Sequence, residues 1–295
     1  MNQRSTRFRR GRLPGEGVGL ACGEWPGDGP PIVALHGVTA SLMSFVGVAG
    51  QLAESRALLA IDLRGHGDSD QPPGPYTIDQ HARDVARAMR SLDLGPSAIV
   101  GHSFGAYVAT ALAANEPGLV SRLLLVDGGH PPLAPAGVAP RVFAELAMAH
   151  SIDRVRRCYP TLDAYVESWR ALPGLAGACS AWVDAFAAYD ARTVPAGVRG
   201  KAGEPAVRAA YYEMLDLDAI ERRLARVEVP IEIVRAAHGA ARGLPPLLSD
   251  EVVARMRRHA PQAGLRTVED ASHYTILLGE AGATTVARLL QEVAS

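Results

Sequence analysis

Short apolar runs bounded by turn residues alternate along the chain with longer stretches whose apolar positions recur every three or four residues. The first pattern suits strands buried on both faces and the second amphipathic helices. Their alternation predicts a mainly parallel sheet covered by helices. Pro31-Ile32-Val33-Ala34-Leu35 reads as a strand ending at His36-Gly37, and Ala57-Leu58-Leu59-Ala60-Ile61 as another ending at Asp62. From Thr77 the period changes. Ile78, Ala82, Val85, Met89 and Leu92 mark one helical face, stopped by Gly95-Pro96. Ser97 to Val100 reads as a strand, Phe104 to Asn115 as an Ala-rich helix able to pack closely on a sheet, and Leu123 to Val126 as a strand ending at Asp127.

From about Pro140 to Asp216 the β-branched runs give way to helical spacing. Strand character returns at Ile231 to Val234 and at Leu265 to Val268, with helices expected from Asp250 to Ala260 and from about Ala283 to Val293. The predicted organisation is a flexible basic arm at 1–16, an α/β core made of 17–127 and 213–295, and a helical cap at 128–212. The cap holds nine of the sixteen aromatic residues, and its charges nearly cancel, which suits the roof of an apolar pocket. Trp169 and Trp182 are its expected substrate contacts. The alternative is that cap aromatics such as Trp182 and Phe186, one turn apart, pack the insertion's own core.

Composition narrows the function classes. Across 295 residues, 48% are hydrophobic and 21% charged, which is ordinary for a globular protein. A net charge of −1 offers no clustered positive field for nucleic acid. Cys22, Cys158 and Cys179 are an odd, widely spaced trio without a CxxC pair, which fits reduced thiols better than a disulfide framework or a zinc site. Arg4, Arg7, Arg9, Arg10 and Arg12 precede Leu13-Pro14-Gly15 rather than an apolar segment, and no run approaches the ~20 residues of a membrane span. The expectation is a soluble cytoplasmic protein with no membrane partner, no metal and no cofactor.

Gly101-His102-Ser103-Phe104-Gly105 is the sharpest chemical signal, a G-x-S-x-G pentapeptide between a predicted strand and a predicted helix. In such an elbow the serine is held in a strained turn with its hydroxyl over the sheet edge, and the flanking glycines remove side chains that would collide. The helix N-terminus behind Ser103 favours developing negative charge. Acyl transfer also needs donors aimed at the oxyanion, and the backbone N–H groups of Phe104 and Val38 are the candidates. His36, Met43 and His102 are read as further residues around the substrate. The Asp62 to Ser69 turn reads as structural, its Asp/Arg pair and glycines fixing a tight loop.

The base is expected on a late loop, where His273 follows the Leu265 to Val268 strand. The stretch after Ile231 to Val234 lacks a carboxylate until Asp250, whereas Asp127 ends the preceding strand ahead of Gly128-Gly129. Asp127 is therefore the expected acid, with Asp250 and Asp270 as alternatives. The order Ser103, Asp127, His273 matches that of this type of triad.

With these residues in view, the chain resembles the α/β-hydrolase superfamily over nearly its whole length, through His36-Gly37, the Asp62 to Ser69 turn, the Gly101 to Gly105 elbow, Asp127 and His273. It looks like the cap-bearing branch of esterases, lactonases, epoxide hydrolases and C–C hydrolases. The resemblance implies an α/β-hydrolase fold with an eight-stranded sheet, a helical cap after the sixth strand and no cofactor. The chain departs from the commonest pattern in placing the acid after the sixth strand, as some relatives do. Serine rather than aspartate at the elbow argues against epoxide hydrolase or dehalogenase chemistry. The implied function is hydrolysis of a small, largely apolar ester or related carbonyl. A thioesterase or acyltransferase, and a silent ligand-binding protein, stand as alternatives.

Overall fold

The computed structural model describes residues 8–52 and 55–293. The chain enters as a hairpin, β1 (Arg9–Pro14) and β2 (Gly19–Trp25). Strands β3 (Ile32–Leu35), β4 (Leu58–Ile61), β5 (Ser97–His102) and β6 (Val120–Val126) then alternate with helices α1 (Val46–Leu52), α2 (Ile78–Ser91) and α3 (Phe104–Asn115). An insertion follows: α4 (Pro140–Arg156), α5 (Leu162–Arg170), α6 (Ser180–Asp190), a small hairpin of β7 (Ala191–Val194) and β8 (Gly197–Gly200), and α7 (Glu204–Glu213). The chain finishes with α8 (Leu217–Ala225), β9 (Ile231–Ala236), α9 (Asp250–His259), β10 (Gly264–Val268), α10 (Thr275–Leu278) and α11 (Glu280–Val293).

Eight strands form one sheet in the order β1-β2-β4-β3-β5-β6-β9-β10, parallel from β4 to β10 and antiparallel at the β1/β2 edge. Alternation along each strand divides the core into two layers. Leu59 and Ile61 of β4, with Leu123 and Leu125 of β6, face α2, α3, α8 and α9. Leu58 and Ala60, with Leu124 and Val126, face α1, α10 and α11, and the insertion's Trp169 and Phe186 join that second cluster.

Two elements depart from the pattern read in the sequence. Residues 9–14, expected within a flexible arm at 1–16, are an edge strand in register with β2, and residues 1–7 lie outside the described residues. Arg10 and Arg12 are tied to Asp68 and Asp70 of the turn after β4, so charges that look solvated in sequence anchor the strand. The β7/β8 hairpin interrupts the expected run of helices. Thr193, Val194 and Val198 flank its turn, and an isolated bridge joins Val198 to Tyr159.

Candidate active site

The site grows out of three strand ends. At the end of β5, Ser103 adopts φ 52° and ψ −118°, a positive-φ conformation that is strained for a residue with a Cβ. Its N–H donates to the Val126 carbonyl at 2.9 Å. A Cβ on Gly105 would lie 2.1 Å from the Leu35 carbonyl oxygen, and one on Gly128 would lie 2.2 Å from that of Ser103. The elbow therefore presses α3 onto β3 and the β6 turn. Phe104 buries its ring against His81, edge-on at 5.4 Å, and offers the site only its backbone N–H, unpaired within the helix at that first position.

Asp127, after β6, also has a positive φ (45°), with a fully buried side chain. Its N–H donates to the Val234 carbonyl at 2.7 Å, and one carboxylate oxygen accepts from the Ala236 N–H at 3.1 Å. The other oxygen lies 2.6 Å from Nδ1 of His273, in the loop after β10. The alternatives point elsewhere. Asp250 is 91% exposed and pairs with Arg235, and Asp270 is 75% exposed and pairs with Arg242. His102 supports the same loop, its Nε2 donating to the His273 carbonyl at 2.9 Å with the two rings 4.7 Å apart. Burial, then the neighbouring His273, hold the His102 imidazole well below its usual range, so it is neutral.

Ser103, Asp127 and His273 line one cavity of about 380 Å³ between the strand ends and the insertion, together with Val38, His102 and Trp169. Three expected contacts lie elsewhere. His36 is fully buried, accepting from the Leu63 N–H at 3.0 Å and donating from Nδ1 to the Gly37 carbonyl at 2.8 Å, so it fixes the loop rather than touching a ligand. Burial and His66 push its pKa down to about 3. Met43 packs in the second apolar layer. Trp182 covers Gly47 of α1, where a Cβ would lie 2.6 Å from its ring, making it a contact between insertion and core.

The Asp62 turn is structural, with a different partner than expected. Asp62 accepts from the N–H groups of Leu42 (2.7 Å) and Asp68 (2.9 Å) and from the Tyr189 hydroxyl of α6 (2.6 Å). Burial nevertheless pushes its pKa up to about 6. Arg64 turns away to Asp84 of α2, at 2.7 Å.

Sequence reasoning misses the wall formed by α4. Phe143, Ala147, Ser151 and Arg154 fall at helical spacing and all line the cavity. That stripe is visible in the spacing, but its direction is not. Among the described residues, no group of three or more His, Cys, Asp or Glu is arranged to hold a metal, and no helix is long and apolar enough to cross a membrane. The three cysteines are free.

Comparison with known proteins places these features. A family model described as the alpha/beta hydrolase fold matches residues 30–154. The non-heme chloroperoxidase of Streptomyces lividans is 30% identical over 197 residues, which are 59% of this chain and 71% of that one. The chain belongs to the α/β-hydrolase family. The 2-(acetamidomethylene)succinate hydrolase of Mesorhizobium japonicum is 36% identical over 101 residues, 34% of this chain and 36% of that one. This α/β hydrolase spans about a third of the length of the first curated relatives it matches. A crystal structure of E-2-(acetamidomethylene)succinate hydrolase superposes with a TM-score of 0.81 at 22% identity, covering 98% of this chain and 99% of that one, a likeness of fold. The family match includes Ser103 and Asp127 but stops before His273.

Proposed function

We propose that this α/β hydrolase cleaves an ester, lactone or related carbonyl of a small, largely apolar molecule through an acyl-enzyme on Ser103. The observation that carries this reading is the 2.6 Å contact between Asp127 and His273 Nδ1, at a cavity that also exposes the strained Ser103. That contact fixes the imidazole with Nδ1 protonated and Nε2 free to act as base. Ser103 attacks the carbonyl carbon while His273 takes its proton. The oxyanion is received by the N–H groups of Phe104 and Val38. His273 then protonates the leaving group and activates water, which releases the acid and restores the serine.

A fluorophosphonate probe followed by intact mass and peptide mapping tests the assignment. The expected result is one adduct on Ser103, abolished in Ser103→Ala and strongly slowed in Asp127→Asn. Ester turnover surviving in a clean Ser103→Ala protein would refute it.

A further inference from the structure

We infer that the substrate of this site carries a carboxylate, received at the insertion wall by Arg154; the inference rests on the hydrolase reading above. Arg154 ends the α4 stripe that faces the cavity. Its guanidinium lies over the Trp169 ring, 4.8 Å from the centroid, and one Nη donates to the Thr39 hydroxyl in the loop after β3. Its Nε is buried without a partner. Neighbouring arginines differ. Arg156 holds Glu204 and Arg157 holds Asp153, each at 2.6 Å.

Among the described residues, no carboxylate pairs with Arg154. Asp190 feels its charge, but the hydroxyl of Tyr165 occupies one of its oxygens and it does not line the cavity. Asp127 lines it but is committed to His273. A partly buried cation that no carboxylate contacts is incompletely satisfied, and a ligand carboxylate is the group that would satisfy it, through charge-assisted bonds. Close by, the hydroxyls of Ser151 and Tyr211 lie 2.8 Å apart on the same wall and add polar atoms to the subsite. The rest of the lining includes Phe143, Phe186, Leu248 and Leu277, so the ligand has an apolar body between its carbonyl at Ser103 and its acid at Arg154.

Arg154 also braces Thr39, so loss of rate alone does not separate binding from bracing. The test is a ratio. Values of kcat/KM are measured for monoethyl adipate against ethyl hexanoate, which carry the charge on the acyl side, and for 4-acetoxybenzoate against 4-acetoxybenzamide, which carry it on the leaving group. The wild type should favour the charged member of at least one pair by about tenfold or more. Arg154→Gln should bring that ratio close to one, and Arg154→Lys should recover part of it. Ratios near one for both pairs in the wild type, or a ratio unchanged by Arg154→Gln, would overturn the inference. Calorimetry on Ser103→Ala, with and without Arg154→Gln, compares binding of monoethyl and diethyl adipate without chemistry. Selective binding of the monoester lost with Arg154 supports the subsite even if fluorophosphonate fails to label Ser103; equal binding of both overturns it.

Discussion

The cavity has two halves built by different means. Its floor is made of strand ends, where Ser103 and Asp127 are held by backbone hydrogen bonds and by glycines with no room for a Cβ. Its roof is made of side chains from α4, α5 and α6, positioned by packing and a few polar ties such as Tyr189 to Asp62 and Arg154 to Thr39. Backbone geometry offers few tolerated alternatives, whereas side-chain packing tolerates substitution of similar volume. Under the proposed function, the floor therefore sets what reaction is possible, and the roof sets which molecule undergoes it.

Substitutions on the floor should have the largest effect. Asp127→Asn leaves the shape intact but removes the carboxylate charge that faces His273, and kcat/KM for a simple aryl ester should fall by about 10²- to 10⁴-fold with little change in Tm. A fall of less than tenfold would move the acid elsewhere. Gly128→Ala should damage both properties, because its Cβ would collide with the Ser103 carbonyl. We expect a loss of about 2–4 kcal/mol in stability along with most of the activity. A variant with wild-type Tm would show that the elbow yields more easily than its contacts suggest.

The buried histidines beneath and around the floor carry a pH signature. Burial pushes His36 to about 3 and His66 to about 4, and holds His81 and His102 well below their usual range. The unfolded chain takes up these protons near pH 6.5 and the folded one does not, so their stabilising effect is complete above that pH and is lost as pH falls towards 4 or 3. Asp62 acts in the opposite sense. Its raised pKa makes the folded state the stronger proton binder between about pH 4 and 6, which favours the acid side there. His130 is lowered by burial in the same way and Asp190 is raised like Asp62, so five imidazoles outweigh two carboxyls and Tm should decline from pH 7 to pH 5. Asp62→Asn should steepen the decline and His36→Gln flatten it, as read from thermal melts across the range.

The roof offers the smallest and most discriminating effect. Trp169 lines the cavity and Trp182 does not. Trp169→Leu should raise KM several-fold for bulky esters, whereas Trp182→Leu should lower stability by about 1–3 kcal/mol and leave KM within twofold. Equal effects on KM would erase the proposed distinction between wall and strut.

Much of the floor is legible in the sequence alone. The G-x-S-x-G turn, the Asp127-Gly128-Gly129 strand end and the late His273 each leave a local mark, because strained turns and strand ends demand particular residues. The same logic fails at His36, which has the composition of a site residue but spends both ring nitrogens on its own loop. It fails again at Met43 and Trp182, whose apolar side chains fit a pocket and a core equally well in sequence. Arg154 leaves no such mark, because one arginine among several on a helix looks solvated until its neighbours are seen to hold carboxylates and it does not.

By itself, the sequence determined the layered α/β architecture, the elbow and the identity of the groups at the strand ends, since hydrophobic period and turn chemistry are properties of neighbouring residues. Only the tertiary structure decided that Asp127 rather than Asp250 or Asp270 meets His273, that Arg9–Pro14 closes the sheet as an edge strand, and which face of α4 looks into the cavity. Those outcomes depend on contacts between residues far apart in the chain, 146 positions for Asp127 and His273. Local spacing determines which residues share a face, but not which distant neighbour that face finally meets.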